Sequence, residues 1–133
     1  MRFLLNLDVP DLDAAIAFYT RAFDLQLARR LFGGSVAELL GGPAPLYLLQ
    51  CDAGSVPCEG TQRDYRRHWT PLHLDFIVDD LEAACARALA AGARCEQAIR
   101  DEADYRIALF ADPFGHGLCL LQWRGSGYAE ASA

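Results

Sequence analysis

"IVDDLEAACA", residues 77–86, repeats "DVPDLDAAIA", residues 8–17, at an offset of 69 positions. Val78, Asp80, Leu81, Ala83 and Ala84 coincide with Val9, Asp11, Leu12, Ala14 and Ala15, and Glu82 stands where Asp13 does. Self-similarity of this kind in a short chain marks a duplicated unit. An alternating apolar run precedes each copy, "FLLNL" at 3–7 and "LHLDFIV" at 72–78. Side chains two apart on a strand share a face. His73, Asp75 and Ile77 therefore share one face of the second run, while Leu74, Phe76 and Val78 share the core-facing one.

Each copy continues as an amphipathic helix. Leu12, Ile16, Tyr19 and Phe23 recur at helical spacing, as do Leu81, Cys85 and Leu89, and they predict the buried stripes. Pro10 marks the start of the first helix, Asp79 or Asp80 caps the second, and Gly92 suits a left-handed C-cap. Three strand-like runs follow each helix, at 26–32, 35–40 and 45–51, then at 93–99, 104–111 and 117–123. "GG" at 33–34, "GGP" at 41–43 and "DPFGHG" at 112–117 supply turns. The last runs of the two copies match as "YLLQ" (47–50) and "CLLQ" (119–122). Strand–helix–strand–strand–strand, twice, predicts an α+β fold of two tandem βαβββ modules, residues 1–51 and 71–125. Residues 52–70 are expected to be a linker, either a functional lid or a mobile connection, and 126–133 a flexible C-terminal tail.

The 133 residues, 53 % of them hydrophobic, suffice for a true core. No apolar run approaches the twenty or so residues of a membrane span. The first apolar stretch is too quickly charged for a signal peptide, so a cytoplasmic location is expected. Five cysteines, odd in number and without a CxxC pair, fit reduced thiols rather than a disulfide framework or structural zinc. A net charge of −6 argues against nucleic acid as the main partner.

Three stretches carry a family resemblance: "LDVPDLDAAIAFYTRAFDLQL" (7–27), "HLDFIVDDLEAACARALAAGA" (73–93) and "ADPFGHGLCLLQ" (111–122). In their order and spacing the chain resembles the vicinal oxygen chelate superfamily, which includes glyoxalases, bleomycin-resistance proteins, extradiol dioxygenases and fosfomycin-resistance enzymes. The resemblance implies half-barrel sheets around a concave cleft, helices outside, often at a homodimer interface. It also implies metal ligands on the first and fourth strands of the modules, in those members that use a metal. Carried over by register, those positions are Leu4, Tyr47, His73 and Cys119. Only His73 is of the expected type, and Cys119 replaces the usual terminal glutamate. Leu4 offers no donor, and a phenol stays protonated to about pH 10. A cysteine with one histidine suits only a soft metal and needs a third donor, which Asp75 or His116 could supply. No metal cofactor is therefore expected; the alternative is a divalent metal held through His73.

The concave face then collects Asn6, Phe32, Tyr47, Leu49, Trp69, His73, Asp75, Cys119, Leu121 and Trp123 as ligand-binding candidates. Such a mostly apolar and aromatic surface with a few polar groups is how small-molecule pockets are composed. Each residue also has a purely structural reading. Tyr47 and Trp123 can be packing residues, His73 a hydrogen-bonded core histidine, and Cys119 a small hydrophobe rather than a nucleophile. Asp75 resists that reading, because a carboxylate is costly to bury without a partner such as His73 or Asn6. The arginines of "QRDYRRHW" (62–69) read as solvated. The expected function is metal-free binding or sequestration of a hydrophobic or aromatic small molecule, an antibiotic among the candidates, by a homodimer without catalytic residues. Two alternatives stand: a metal-dependent lyase, isomerase or dioxygenase using His73, and a metal-free enzyme with His73–Asp75 as general base.

Overall fold

The computed structural model describes residues 1 and 3–129. It divides into two compact units, Met1–Arg66 and Arg67–Ala133. The first holds β1 (Leu5–Val9), α1 (Leu12–Phe23), β2 (Gln26–Leu31), β3 (Val36–Leu40) and β4 (Leu46–Gln50). The second holds β5 (Leu74–Ile77), α2 (Leu81–Ala91), β6 (Arg94–Asp101), β7 (Tyr105–Ala111) and β8 (Gly117–Trp123). Their sheets run β1-β4-β3-β2 and β5-β8-β7-β6, so the duplication read from the sequence is a duplication of topology. In each unit the first and last strands pair in parallel, with Asn6 beside Tyr47 and Asp75 beside Cys119. A parallel pair requires a crossover, and the helix with the two middle strands provides it.

One face of each open sheet is covered by the unit's helix. Helix α1 lies on β3 and β4, and α2 on β7 and β8. Leu118 and Leu120 of β8 and Ala108 and Phe110 of β7 are buried beneath α2. His73, Asp75 and Ile77 are exposed while Leu74, Phe76 and Val78 are partly covered, as the period-two pattern predicts.

The helical stripes are rotated from those expected. Leu12, Ala15, Phe18, Tyr19 and Ala22 are buried on α1, whereas Ile16 and Phe23 are only partly covered. On α2 the buried set is Leu81, Ala84 and Ala88, Cys85 is intermediate, and Leu89 is 51 % exposed. On α2 the alanines Ala84 and Ala88 let the helix sit close to the sheet and leave Leu89 at the margin, whereas on α1 the buried face also takes the rings of Phe18 and Tyr19.

Both helices begin in the same way. Asp11 and Asp80 each accept the N–H of the residue three positions on, Ala14 and Ala83, at 2.9 Å. Asp11, not Pro10, is thus the cap of α1, and Pro10 lies just outside it. The matched glutamines of "YLLQ" and "CLLQ" explain themselves here. Gln50 Oε1 accepts from Leu12 N at 2.7 Å while its Nε2 donates to Pro10 O at 2.6 Å. Gln122 repeats this, accepting from Leu81 N at 3.4 Å and donating to Asp79 O at 2.6 Å. Each glutamine ties the last strand of its unit to the first turn of the helix and satisfies a donor that helices leave open. Gly92 closes α2 at φ 111°, a conformation that favours glycine.

The stretch expected as a linker is apportioned between the units. Up to Arg66 it folds back on the first: Arg63 Nε donates to Asp8 Oδ2 at 2.7 Å, and Tyr65 Oη to Cys51 O at 2.8 Å. Arg67 begins the second unit. Of the expected flexible tail, Gly127–Ala129 form a 3-10 turn whose Tyr128 ring meets Trp123 edge-on at 5.0 Å. Residues 130–133 of that tail lie outside the described residues. No helix among the described residues is long and apolar enough to cross a membrane.

Candidate functional site

The second unit brings three potential donors together on the open face of its sheet. His73 precedes β5, Asp75 lies within it, and Cys119 is its register partner on β8. One donor atom from each lies within 4.8 Å of the others. His73 Nδ1 and Asp75 Oδ1 are 2.8 Å apart, with both side chains partly solvated. Asp75 is thus partnered by His73, although at its exposed position it does not need a partner to offset burial, contrary to the expectation from its apolar neighbours. Cys119 is half-buried, and burial together with the adjacent Asp75 carboxylate, which accepts its thiol hydrogen bond, pushes the thiol up to about 12. Cys119 is therefore a thiol at neutral pH, a weak donor group rather than a nucleophile. His116 does not join them. Its Nδ1 faces the Asp112 carboxylate at 2.8 Å, in the turn before β8.

A cleft of about 170 Å³ adjoins this cluster. Leu109, Gly117, Trp69, Thr70, His73 and Cys119 line it, together with Phe110 and Leu118, whose side chains are buried toward α2. Arg67 and Glu96 complete it, joined by a two-pronged pair at 2.9 and 3.0 Å. A third guanidinium N–H of Arg67 donates to His68 O, and Arg94 adds a bond to Glu96 at 3.0 Å. The expectation that the linker arginines are solvated fails for Arg63 and Arg67, whose side chains are 22 % and 26 % exposed, and holds for Arg66. Arg67 packs on bare backbone: a Cβ built on Gly117 would lie 2.5 Å from its Nη2. Only glycine leaves room for the guanidinium there.

The equivalent positions of the first unit carry a different chemistry. Where the second has His73, Asp75 and Cys119, the first has Leu4, Asn6 and Tyr47. Tyr47 Oη donates to Glu38 Oε1 at 2.8 Å, and Arg29 Nε donates to Glu38 Oε2 at 2.6 Å. Glu38, 8 % exposed, is the charged residue of an otherwise apolar strand. The Arg29 and Tyr47 bonds hold its carboxyl below the usual carboxylate range, and the Glu38 bond raises the Tyr47 phenol.

Among the sequence candidates, then, Trp69, His73 and Cys119 line one cleft, and Asp75 stands behind His73. Leu121 does not line it and, at 6 % exposure, is buried. Trp123 sits apart from the cleft lining, between Tyr105 and Tyr128. Asn6, Phe32, Tyr47 and Leu49 belong to the first unit, with Asn6 and Phe32 exposed and Tyr47 committed to Glu38. Sequence reasoning missed Arg67, Glu96 and Gly117, which only the fold brings together. It also missed Glu38, for which the signal was present: a lone carboxylate in "VAELL", the same signal that drew attention to Asp75.

The residues do not fit a hard divalent cation of the kind the superfamily's enzymes use. Such a cation takes several oxygen donors, and here a thiol and a phenol bonded to Glu38 occupy two of the four ligand positions, with Leu4 at a third. One histidine, one carboxylate and one thiol make a set only for a borderline-soft cation such as zinc, and then only if Cys119 gives up its proton.

Comparison with known proteins agrees with this topology. The family model of the glyoxalase-like domain matches residues 5–121. A search of curated protein sequences finds no match to the chain. Among solved structures, a glyoxalase/bleomycin resistance protein/dioxygenase family enzyme from Burkholderia phytofirmans PsJN is similar over 90 % of this chain and 96 % of its own, with TM-score 0.72 and 17 % identity. The fosfomycin resistance protein FosX from Listeria monocytogenes is similar over 92 % of each chain, with TM-score 0.69 and 19 % identity. A lactoylglutathione lyase from Agrobacterium tumefaciens is similar over 96 % of this chain and 97 % of its own, with TM-score 0.64 and 20 % identity. At these identities the structures share the fold, while the family match spans most of the sequence. The duplicated βαβββ topology and that match together place the chain in the glyoxalase-like domain family, within the vicinal oxygen chelate superfamily.

Proposed function

We propose that this protein binds a hydrophobic or aromatic small molecule without a metal, in the manner of a sequestering protein, with an antibiotic among the candidate ligands. The observation that carries the reading is the cleft of the second unit, whose mostly apolar lining includes an exposed indole and has a histidine–aspartate pair beside it. That composition supports ligand capture, since apolar walls supply affinity and a few fixed polar groups supply orientation. The protonated Cys119 and the Glu38-bound Tyr47, at positions where relatives with metals need donors, support a metal-free role.

Elemental analysis of protein purified without chelators is expected to find no stoichiometric metal. One tightly held metal per chain, lost in His73→Ala, would overturn the reading. Trp69→Ala is expected to weaken any planar aromatic ligand found by fluorescence titration by about tenfold, the worth of one good ring contact. Unchanged affinity would remove this cleft from the binding surface. Homodimer formation is part of the proposal, and sedimentation at micromolar concentration should give twice the chain mass; a species near 14.6 kDa would contradict it.

A second reading, a metal-dependent lyase, isomerase or dioxygenase using His73, is favoured by one observation, the convergence of His73, Asp75 and Cys119 within 4.8 Å. The same elemental analysis decides between the two.

A further inference from the structure

The cleft of the second unit has a size, a lining and a hydrogen-bonding sense, and together they specify a ligand more closely than "aromatic". We propose, building on the binding role above, that it takes a single aromatic ring bearing one hydroxyl, a monocyclic phenol, with that hydroxyl donating to His73 Nε2.

Size comes first. A volume of about 170 Å³ is close to that of an apolar cavity of about 150 Å³ known to hold one benzene. It falls below the roughly 300 Å³ at which sites for drug-sized ligands begin. One ring fits, and a fused ring system extends beyond it. Leu109, on the same face of the sheet as Cys119, offers an apolar side chain, and Trp69, 79 % exposed, lines the same space.

The hydrogen-bonding sense follows from Asp75. It receives the thiol proton of Cys119 on one side and faces His73 Nδ1 at 2.8 Å on the other. A carboxylate only accepts, so Nδ1 carries the imidazole proton, and in the neutral ring Nε2 is left as an acceptor. His73 lines the cleft, so the ligand group suited to it is a donor. The other polar groups do not reverse this. Thr70 Oγ1 donates to Leu72 O, and Arg67 is engaged by Glu96 and His68 O. A ligand carboxylate seeking the remaining Arg67 N–H groups would meet the Glu96 carboxylate bound to the same guanidinium, and like charges in contact repel. A neutral hydroxyl meets no such penalty, and a phenol is neutral at pH 7.

The experiment compares three ligands of one shape on the unmutated protein: para-cresol, para-methylanisole and para-toluate. Affinities come from tryptophan fluorescence, and the His73 ring is followed by its imidazole NMR signals. Para-cresol is expected to bind about tenfold more tightly than para-methylanisole, the worth of one hydrogen bond to a prepared acceptor. It alone should shift the His73 Nε2 resonance, and para-toluate should bind most weakly. In His73→Phe the cresol–anisole preference should vanish while ring binding persists. Equal binding of cresol and anisole, or preference for toluate, would overturn the phenol assignment and leave the aromatic binding role standing. Quenching by fused aromatics but by none of the three would overturn the single-ring size. If neither these ligands nor larger aromatics bind, the binding role falls as well.

Discussion

At pH 8 Cys119 should react with iodoacetamide roughly a thousandfold more slowly than an unperturbed thiol, because alkylation proceeds through the thiolate and a thiol held at about 12 instead of the ordinary 9.0 is almost entirely protonated. Burial is the first cause and the Asp75 carboxylate the second; both raise the free energy of a negative sulfur, and Arg100 opposes them only in part. The sign is therefore unambiguous. Asp75→Asn removes the negative charge beside the thiol and leaves only a neutral amide oxygen as acceptor, so it should speed labelling several-fold without restoring ordinary reactivity, since burial remains. Peptide-resolved mass spectrometry of a labelling time course measures both. Labelling of Cys119 at the rate of a small free thiol would show that the open face of the second sheet does not have the geometry described. The result also bears on function, because a thiol this reluctant to ionise is unsuited to covalent catalysis.

The largest effect on stability is expected from Asp112. Its side chain is fully buried in the turn before β8. Oδ1 accepts the backbone N–H groups of Phe114 and His116, both at 2.8 Å, and Oδ2 faces His116 Nδ1 at 2.8 Å. Asp112→Ala removes three hydrogen-bonding contacts of the turn at once, two to backbone N–H groups and one to the partly exposed His116 ring. Three lost hydrogen bonds at about 1 kcal/mol each give about 3 kcal/mol. For a domain of this size that lowers the midpoint of thermal unfolding by about 10 °C. Asp112→Asn keeps a carbonyl oxygen for the two N–H groups and should lose about 1 kcal/mol, from the His116 bond alone. Urea unfolding of the three proteins gives the comparison. An alanine variant as stable as the parent would mean that the turn holds without its carboxylate.

Much of the fold was written locally. A strand announces itself in a few residues, and a helix start in four, so the two units, the order of their elements along the chain and an aspartate cap at 79 or 80 could be read from a single repeat; the order of strands within each sheet could not. The pairing of His73 with Asp75 was legible for the same reason, two residues apart on one pleated edge. What could not be read was rotation and distance. The apolar spacing on α2 fits a stripe through Leu89 as well as one through Ala88, and only packing against β7 and β8 selects the alanine side. Arg67 and Gly117 are fifty positions apart, and neither residue type suggests the other. "DPFGHG" reads as a turn from its glycines, but nothing in its letters says that the aspartate is the buried centre of it. Glu38 stands between, since a lone carboxylate among apolar neighbours is visible and its partners Arg29 and Tyr47 are one strand away on either side.

Gly117 gives the cleft of the second unit a stiff wall and leaves it a compliant one. Where Arg67 lies against bare main chain, the wall has no side chain of its own, and what stands there is a guanidinium held by Glu96 and by His68 O. Across the opening, the indole of Trp69 has few neighbours to hold it. Ligands that grow toward Gly117 must therefore displace a guanidinium from its ion pair, while those that grow toward Trp69 meet a surface able to yield. Selectivity in such a cleft depends less on how large a molecule is than on which of its edges carries the extra atoms.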